Sequence, residues 1–371
     1  LISITTNDPG DEFEFQLGGG IETEYDGTFY EMVISGPITD TLGARLAIGG
    51  SKNDELFENY SFDNDPNASF TPSATSNGNG AEKYYGDEST NMRLTVVWEP
   101  TDNFKAKLKY NYSEFDNSGA GTAYTEELCA EGAHQKTAAV GQFFQGVDDC
   151  KINGNTSKIG LNPALRAGLP QGYDDGQPGL EQETDFISLQ MVWDINENYT
   201  LTSVTGWVDL EHWELDDYSY GAGVFGGLHN NLYESLSQEF RLGSNYDGPV
   251  NFQAGLFWQE IEQEFDAYQY AANIGLLAAD PFTGNGYDYN KHHFLDTDVL
   301  SAFVAVYWDI NDRTELTFGA RYTEEDKKGR IEIPYVHAFL AGTFSAPSLI
   351  DGLEFDDDNI SPEIAINYYL N

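Results

Sequence analysis

This sequence predicts an all-β fold, an antiparallel up-and-down transmembrane barrel, and three observations predict it. A strand-turn-strand unit recurs three times, its strands alternate between an apolar and a polar face, and short turns alternate with much longer connections.

The first unit spans residues 92–112 and turns after Trp98. The second, 187–207, turns after Trp193, and the third, 302–322, turns after Trp308. Side chains on a strand point to opposite faces with period two, so parity sorts them. Met92, Leu94, Val96 and Trp98 share one face with Phe104, Ala106, Leu108 and Tyr110. The other face carries Arg93, Thr95, Lys105, Lys107 and Lys109. The later copies repeat the scheme: Ile187, Leu189, Met191 and Trp193 oppose Ser188 and Gln190, and Leu300, Val304 and Trp308 oppose Ser301. A soluble sandwich would turn the apolar face inward, whereas a membrane barrel turns it toward lipid. The lengths of the connections decide between them.

Composition bounds the answer. No window of the 371 residues approaches the eighteen or so continuous apolar residues of a spanning helix, and mean hydropathy is −0.46. A membrane reading is therefore a barrel. Aromatics at 14% and 38 Gly suit a β-rich chain. With 18 Lys plus Arg against 62 Asp plus Glu, the net charge of −44 excludes nucleic acid as a partner. Cys129 and Cys150 lie in one long polar stretch with no metal-ligand spacing, and are expected to form a disulfide worth about 3 kcal/mol in an oxidising compartment. Leu1 opens mid-pattern, so the lack of a signal peptide carries no information.

In chain order, residues 1–10 read as a short strand and a stop. Strands follow at 11–24 and 28–36, joined at Tyr25-Asp26-Gly27, and Leu42, Ala44, Leu46 and Ile48 alternate on the next. Long irregular connections are expected at about 52–88, 115–182, 214–232, 266–296 and 326–358, the second with a short helix near Thr137–Phe144. The three units fill the gaps, together with strands at 233–243 and 250–265 and a last strand from Ile360 to Leu370. Up-and-down strands place all the long connections at one end. Such loops count against a compact soluble domain but are expected on the outer side of an outer-membrane barrel. Trp98, Trp193 and Trp308 then mark the membrane interface at the short-turn end. A propeller fails, because Trp-Asp units would recur every forty to fifty residues and these Trp lie 95 and 115 apart.

Leu1 to Pro9, followed by Ser35-Gly36-Pro37-Ile38-Thr39-Asp40-Thr41-Leu42-Gly43-Ala44-Arg45, resembles the end of the plug and the first barrel hairpin of TonB-dependent outer-membrane receptors. Ser237-Gln238-Glu239-Phe240-Arg241-Leu242-Gly243-Ser244 with Gly255-Leu256-Phe257-Trp258, and Ser361-Pro362-Glu363-Ile364-Ala365, are similar to later strands of that family. The resemblance implies a Gram-negative outer-membrane barrel of twenty-two strands, filled by a plug, that imports a scarce nutrient, by family habit a ferric siderophore. About twelve strands and no plug are legible, so residues 1–10 are expected to end a plug or linker and 11–371 to be the N-terminal part of the barrel. The implied partners are lipid and lipopolysaccharide, a small-molecule ligand, and the inner-membrane TonB complex acting through the plug.

Ligand capture by the loops points to Trp207, Trp213, Tyr218, Tyr220, Tyr287, Tyr289 and His292, whose rings suit stacking on a neutral or cationic ligand, sugars included. The lumen-side cations Arg93, Lys107, Arg241 and Arg321, with Arg45, Lys105 and Lys109, are expected to pair with acids of neighbouring strands or of a plug. His292 and His293 point apart on an extended chain, and no resident metal or cofactor is expected. The acidic pairs Asp148-Asp149, Asp174-Asp175 and Asp216-Asp217 and the run Asp356-Asp357-Asp358 could hold loop calcium. Gly221 to Gly226 matches G-x-G-x-x-G without a βαβ unit and reads as loop. No catalytic constellation stands out, so an enzyme is not expected. A passive porin and a secreted acidic β-rich binding or adhesion domain are the competing readings.

Overall fold

The computed structural model describes residues 5–24, 26–59, 83–119, 154–156, 177–217, 225–271, 283, 285, 287–338, 341 and 346–369. Its strands are β1 (Glu14–Glu22), β2 (Gly27–Thr39), β3 (Leu42–Asn53), β4 (Phe57–Asn59), β5 (Lys83–Tyr84), β6 (Asp87–Thr101), β7 (Phe104–Ser118), β8 (Asn155–Thr156), β9 (Gly179–Asn196), β10 (Tyr199–Asp217), β11 (Phe225–Ser244), β12 (Val250–Ala271), β13 (Tyr289–Asn311), β14 (Thr314–Val336) and β15 (Ser348–Tyr368). Twelve of them pair in one antiparallel sheet, and every long strand lies beside the next in sequence. The sheet is an open wall edged by β1 and β15. The short strands β5, β4 and β8 form a second small sheet that joins two of the long connections.

The recurring Trp-Asp-Ile-Asn is explained at the turns. Asn196 accepts a hydrogen bond on Oδ1 from the backbone N–H of Asn198 at 2.9 Å, and Asn311 does the same for Arg313 at 3.0 Å. These side chains close the reversal locally, the use for which Asn is favoured in turns. At the opposite end of the first hairpin, Asp26 takes φ 52°, a conformation Asp tolerates better than most residues.

Directly opposed residues on paired strands share a face. Leu256, Ala302 and Tyr322 are so aligned, as are Ala254, Val304 and Ala320. Val304 is 45% exposed and Leu256 57%, while Ser301 and Thr95 on the other face are each 1% exposed. Large apolar side chains point outward and small polar ones are covered. A sandwich core would show the reverse.

The apolar face ends at a sharp border. The row Leu108, Leu189, Thr205, Gln238, Trp258 and Leu300 crosses six strands in register. Two residues farther, toward the long connections, comes Ile187, Trp207, Leu236, Glu260, Asp298 and Asp326. Two beyond that lie Asp185, Asp209, Glu234, Glu262 and Asp296, five carboxylates directly opposed across five strands.

The strands outrun the alternation that revealed them. Residues expected in long connections lie instead in β10, β11, β12, β13, β14 and β15, so that 326–336 and 348–358 are paired strand. Beyond the border both faces are polar, and the period-two signal disappears although the backbone ladder continues. Residues 5–10 form no strand and lie across the wall instead of pairing with it, while residues 1–4, the start of the expected short strand, lie outside the described residues. The short helix expected near residues 137–144 lies outside the described residues.

Candidate ligand-binding surface

The polar face carries two groups of functional side chains. Near the short turns, Arg45, Thr95 and Lys109 lie opposite one another across β3, β6 and β7. The N-terminal segment crosses this basic strip. Lys107 Nζ pairs with Asp8 Oδ2 at 2.6 Å, and Lys109 Nζ donates to Thr6 Oγ1 at 2.7 Å. Arg45 pairs with Glu14 of β1 at 3.0 Å. Close passage requires Gly36, whose φ is 151° and where a Cβ would come within 2.9 Å of Phe13 Cα. A cavity of about 320 Å³ remains between segment and wall, lined by Thr5, Thr6, Asn7, Arg45, Ala47, Arg93 and Thr95.

Arg93, Arg241 and Arg321, expected on the lumen side, are also on this face. Arg93 hydrogen-bonds Asn111 through Nε. Arg241 pairs with Glu239 at 2.6 Å. Arg321 lies 5.5 Å from the Phe257 ring and 5.8 Å from Phe303, and its Nη2 donates to Ser301 Oγ at 3.0 Å. The guanidinium is thereby held by two rings and a hydroxyl.

Toward the long connections the same face becomes aromatic. Gln182, His212, Asn231, Phe265, His293 and Ile331 form one row across six strands. The next row holds Glu214, His229, Ala267 and Lys291. His229 stacks on Phe265 with ring centres 5.6 Å apart and planes at 30°, and Phe265 meets His293 at 5.6 Å and 46°. Burial holds the His229 imidazole below its ordinary pKa, against the pull of Glu214 and helped by His212. Burial lowers His293 too, with Lys291 adding to it. Nε2 of His293 is buried and has no hydrogen-bond partner among the described residues.

The residues expected to gather ligand are spread over both faces. Trp207 is mid-strand in β10 on the apolar face, opposite Ile187 and Leu236, with Nε1 donating to Glu234 at 3.0 Å. It stands at the border of the apolar belt and not in a loop. Trp213 follows on that face, in a row with Asn230, Asp266 and His292. His292 Nδ1 hydrogen-bonds Asp266, and Tyr268 meets His292 and Tyr287 edge-on at 5.8 and 5.0 Å. Tyr287 continues the ladder to Tyr335 at 5.5 Å. Burial, then Asp266 and Tyr287, push the Tyr268 hydroxyl up to about 12. This network binds its own members together. Among the described members of the group only Tyr289 faces the polar side, opposite Gln269. His292 and His293 do point apart, as an extended chain requires. Tyr218, Tyr220, Cys129 and Cys150 lie outside the described residues.

Trp98, Trp193 and Trp308 stand on the apolar face beside the short turns, 46%, 45% and 43% exposed. No group of three or more His, Cys, Asp or Glu placed to hold a metal occurs among the described residues. Asp356 and Asp358 face one way and Asp357 the other on β15, so that run does not converge as calcium ligands would. Asp216 is buried, the side chain of Asp217 is outside the described residues, and so are Asp148, Asp149, Asp174 and Asp175. The His229, Phe265 and His293 stack has no local sequence signature, because only the register of β11, β12 and β13 brings the rings together.

No protein-family model matches the sequence, and no curated protein matches it. Solved structures do match. The ferric yersiniabactin uptake receptor FyuA from Yersinia pestis aligns with a TM-score of 0.66 at 13% identity, covering 99% of this chain and 46% of that one. The chain has the fold of the TonB-dependent receptor barrel. The siderophore receptor PiuA from Acinetobacter baumannii aligns at 0.59 and 12% identity, over 98% of this chain and 48% of its own. The ferric-catecholate import receptor Fiu from E. coli K12 aligns at 0.58 and 14%, over 97% and 52%. This chain spans about half the length of the structures it matches.

Proposed function

We propose that this chain is wall from an outer-membrane uptake receptor of a Gram-negative bacterium, with its apolar face in lipid and its polar face lining the passage. The observation that carries the reading is the inverted burial, Val304 exposed and Ser301 covered, on strands that also end in a Trp border. The long connections would then lie outside the cell and meet the ligand first, and residues 5–10 would lead from a plug onto the wall. The matched structures are described as receptors for ferric yersiniabactin, ferric catecholates and siderophores, which supports an iron-chelate cargo in general. Lys107 and Lys109 hold the N-terminal segment against the polar face, which fits a chain leading from a plug onto the wall. Energy would come from the TonB complex acting through that plug. The sandwich alternative requires the rows of Leu256 and Val304 to be covered, and they are not.

Expression of the full protein in an outer-membrane host tests this. Cell fractionation should place it in the detergent-extractable outer membrane, and ferric-siderophore uptake should rise above that of the empty host. Recovery as a soluble monomer without detergent would defeat the membrane reading. Correct insertion without ferric-siderophore uptake would defeat the cargo assignment alone.

A further inference from the structure

The cavity of about 320 Å³ between the N-terminal segment and the polar face is bounded by two arginines, Arg45 and Arg93. We propose that it is a subsite for the carboxylates of an organic polyanion, a compound with two or three carboxylate groups on a short chain. As a station on the passage it rests on the uptake reading, and it narrows the cargo to one that carries free carboxylates.

Strand register builds the floor. Arg45 lies directly opposite Thr95, and Ala47 opposite Arg93, on β3 and β6. The two arginines therefore take one diagonal of a four-residue square, about 7–8 Å apart at their backbones, and Ala47 and Thr95 take the other. Space stays open between the two long side chains because the remaining corners are short. The segment supplies the roof, Thr5 and Thr6 bringing hydroxyls and Asn7 an amide. Lys109 Nζ donates to Thr6 Oγ1 at 2.7 Å, which leaves the Thr6 hydroxyl hydrogen to donate onward.

Charge selects the ligand. In a chain of net charge −44 this strip is basic, and its cations are unevenly answered. Glu14 pairs with Arg45, Asp8 with Lys107 and Glu99 with Lys105. Among the described residues the Arg93 side chain hydrogen-bonds only the neutral amide of Asn111, and Lys109 Nζ only the Thr6 hydroxyl. Two positive charges thus stand at the cavity with no carboxylate to meet them, and a guanidinium is shaped to take a carboxylate on its fork. The volume of about 320 Å³ is several times the roughly 30 Å³ of one water molecule, so a lone small oxyanion leaves it part-empty. A short chain with two carboxylates fills it and reaches both diagonal arginines.

Calorimetric titration of the full protein in lipid vesicles with tricarballylate, a short-chain tricarboxylate, tests this. Binding should be saturable, about tenfold tighter than that of inorganic phosphate, absent with the uncharged triamide, and weaker as salt rises. Arg93→Gln, which removes the unanswered charge, should weaken it about tenfold, and Arg93→Lys, which keeps the charge without the fork, about threefold. Arg45→Gln is the less direct variant, since it also releases Glu14. Lys328→Gln, which removes a cation opposite Asp296 on the other face, should change nothing. Absence of saturable binding, equal binding by Arg93→Gln, or triamide or phosphate bound as tightly as tricarballylate overturns the subsite. Insertion is scored separately by protease protection, and import by ferric-siderophore uptake. A protein that inserts and imports but fails the titrations disproves the subsite while leaving the uptake reading intact. One that binds tricarballylate through Arg93 yet never inserts does the opposite.

Discussion

Strands β9 to β13 carry two different kinds of row on one face without changing their pairing. On one side of the Trp207 border, Leu189, Thr205, Gln238, Trp258 and Leu300 oppose one another. Four residues farther along each strand, Asp185, Asp209, Glu234, Glu262 and Asp296 do. The ladder of backbone hydrogen bonds is the same in both. Like charges directly opposed cost free energy in a sheet, and the cost is bearable only where water screens them. Lipid would forbid the second stretch, and water would gain nothing from the first. On the outer-membrane proposal, the border marks where the surroundings change.

Three measurements can break or sharpen that contrast. The largest effect is expected from Val304→Lys, which puts a charge in the belt. Folding into vesicles should lose about 2–4 kcal/mol, the cost of Lys on the lipid face near the bilayer midplane. A loss under half a kilocalorie would mean Val304 does not meet lipid. Next comes Glu234→Gln, which removes the middle charge of the opposed row. It should stabilise the wall by about 0.2–1 kcal/mol, the worth of one cross-strand pair, and more at low salt. Destabilisation would mean that the Trp207 hydrogen bond to Glu234 outweighs the repulsion.

The smallest effect is that of pH. Burial raises the Glu183 carboxyl, with Asp185, Glu114, Glu211 and Asp209 adding to it. Burial also raises Asp209, with Glu234, Glu211 and Asp185 adding. Both groups bind protons more tightly folded than unfolded, so their charged forms oppose folding above the raised values. In the window just above the ordinary carboxylate range, stability should therefore fall as pH rises and recover on acidification. Subtracting the melting curve of a Glu183→Gln, Asp209→Asn variant isolates the effect. A difference curve sloping the other way would remove the repulsive row from the account.

The two stretches also explain what the sequence could tell. The apolar face was legible because its side chains alternate strictly: Trp98, Trp193 and Trp308 fall on it beside the turns, where parity puts them. Beyond the border alternation stops. Trp207, which the sequence groups with the loops, stands at that border, and the ends of β10 to β15 carry no period-two signal to mark them as strand. Parity places Lys107 and Arg241 on the polar face; Lys107 pairs with Asp8 from outside its own hairpin, whereas Arg241 departs from the expectation by pairing with Glu239 of its own strand. The ring stack was beyond reach. His229, Phe265 and His293 come from three strands, and a register slip of one residue would turn any of the rings to the opposite side.

The first described residues are stitched sideways to two separate staves of the wall, to β2 through Ser35 and to β7 through Lys107 and Lys109. A tug on that leading end would load these attachments one after another, like a seam opening from its corner. The wall beneath would keep its ladder while the seam gave way, because the stitches are side chains and the ladder is backbone.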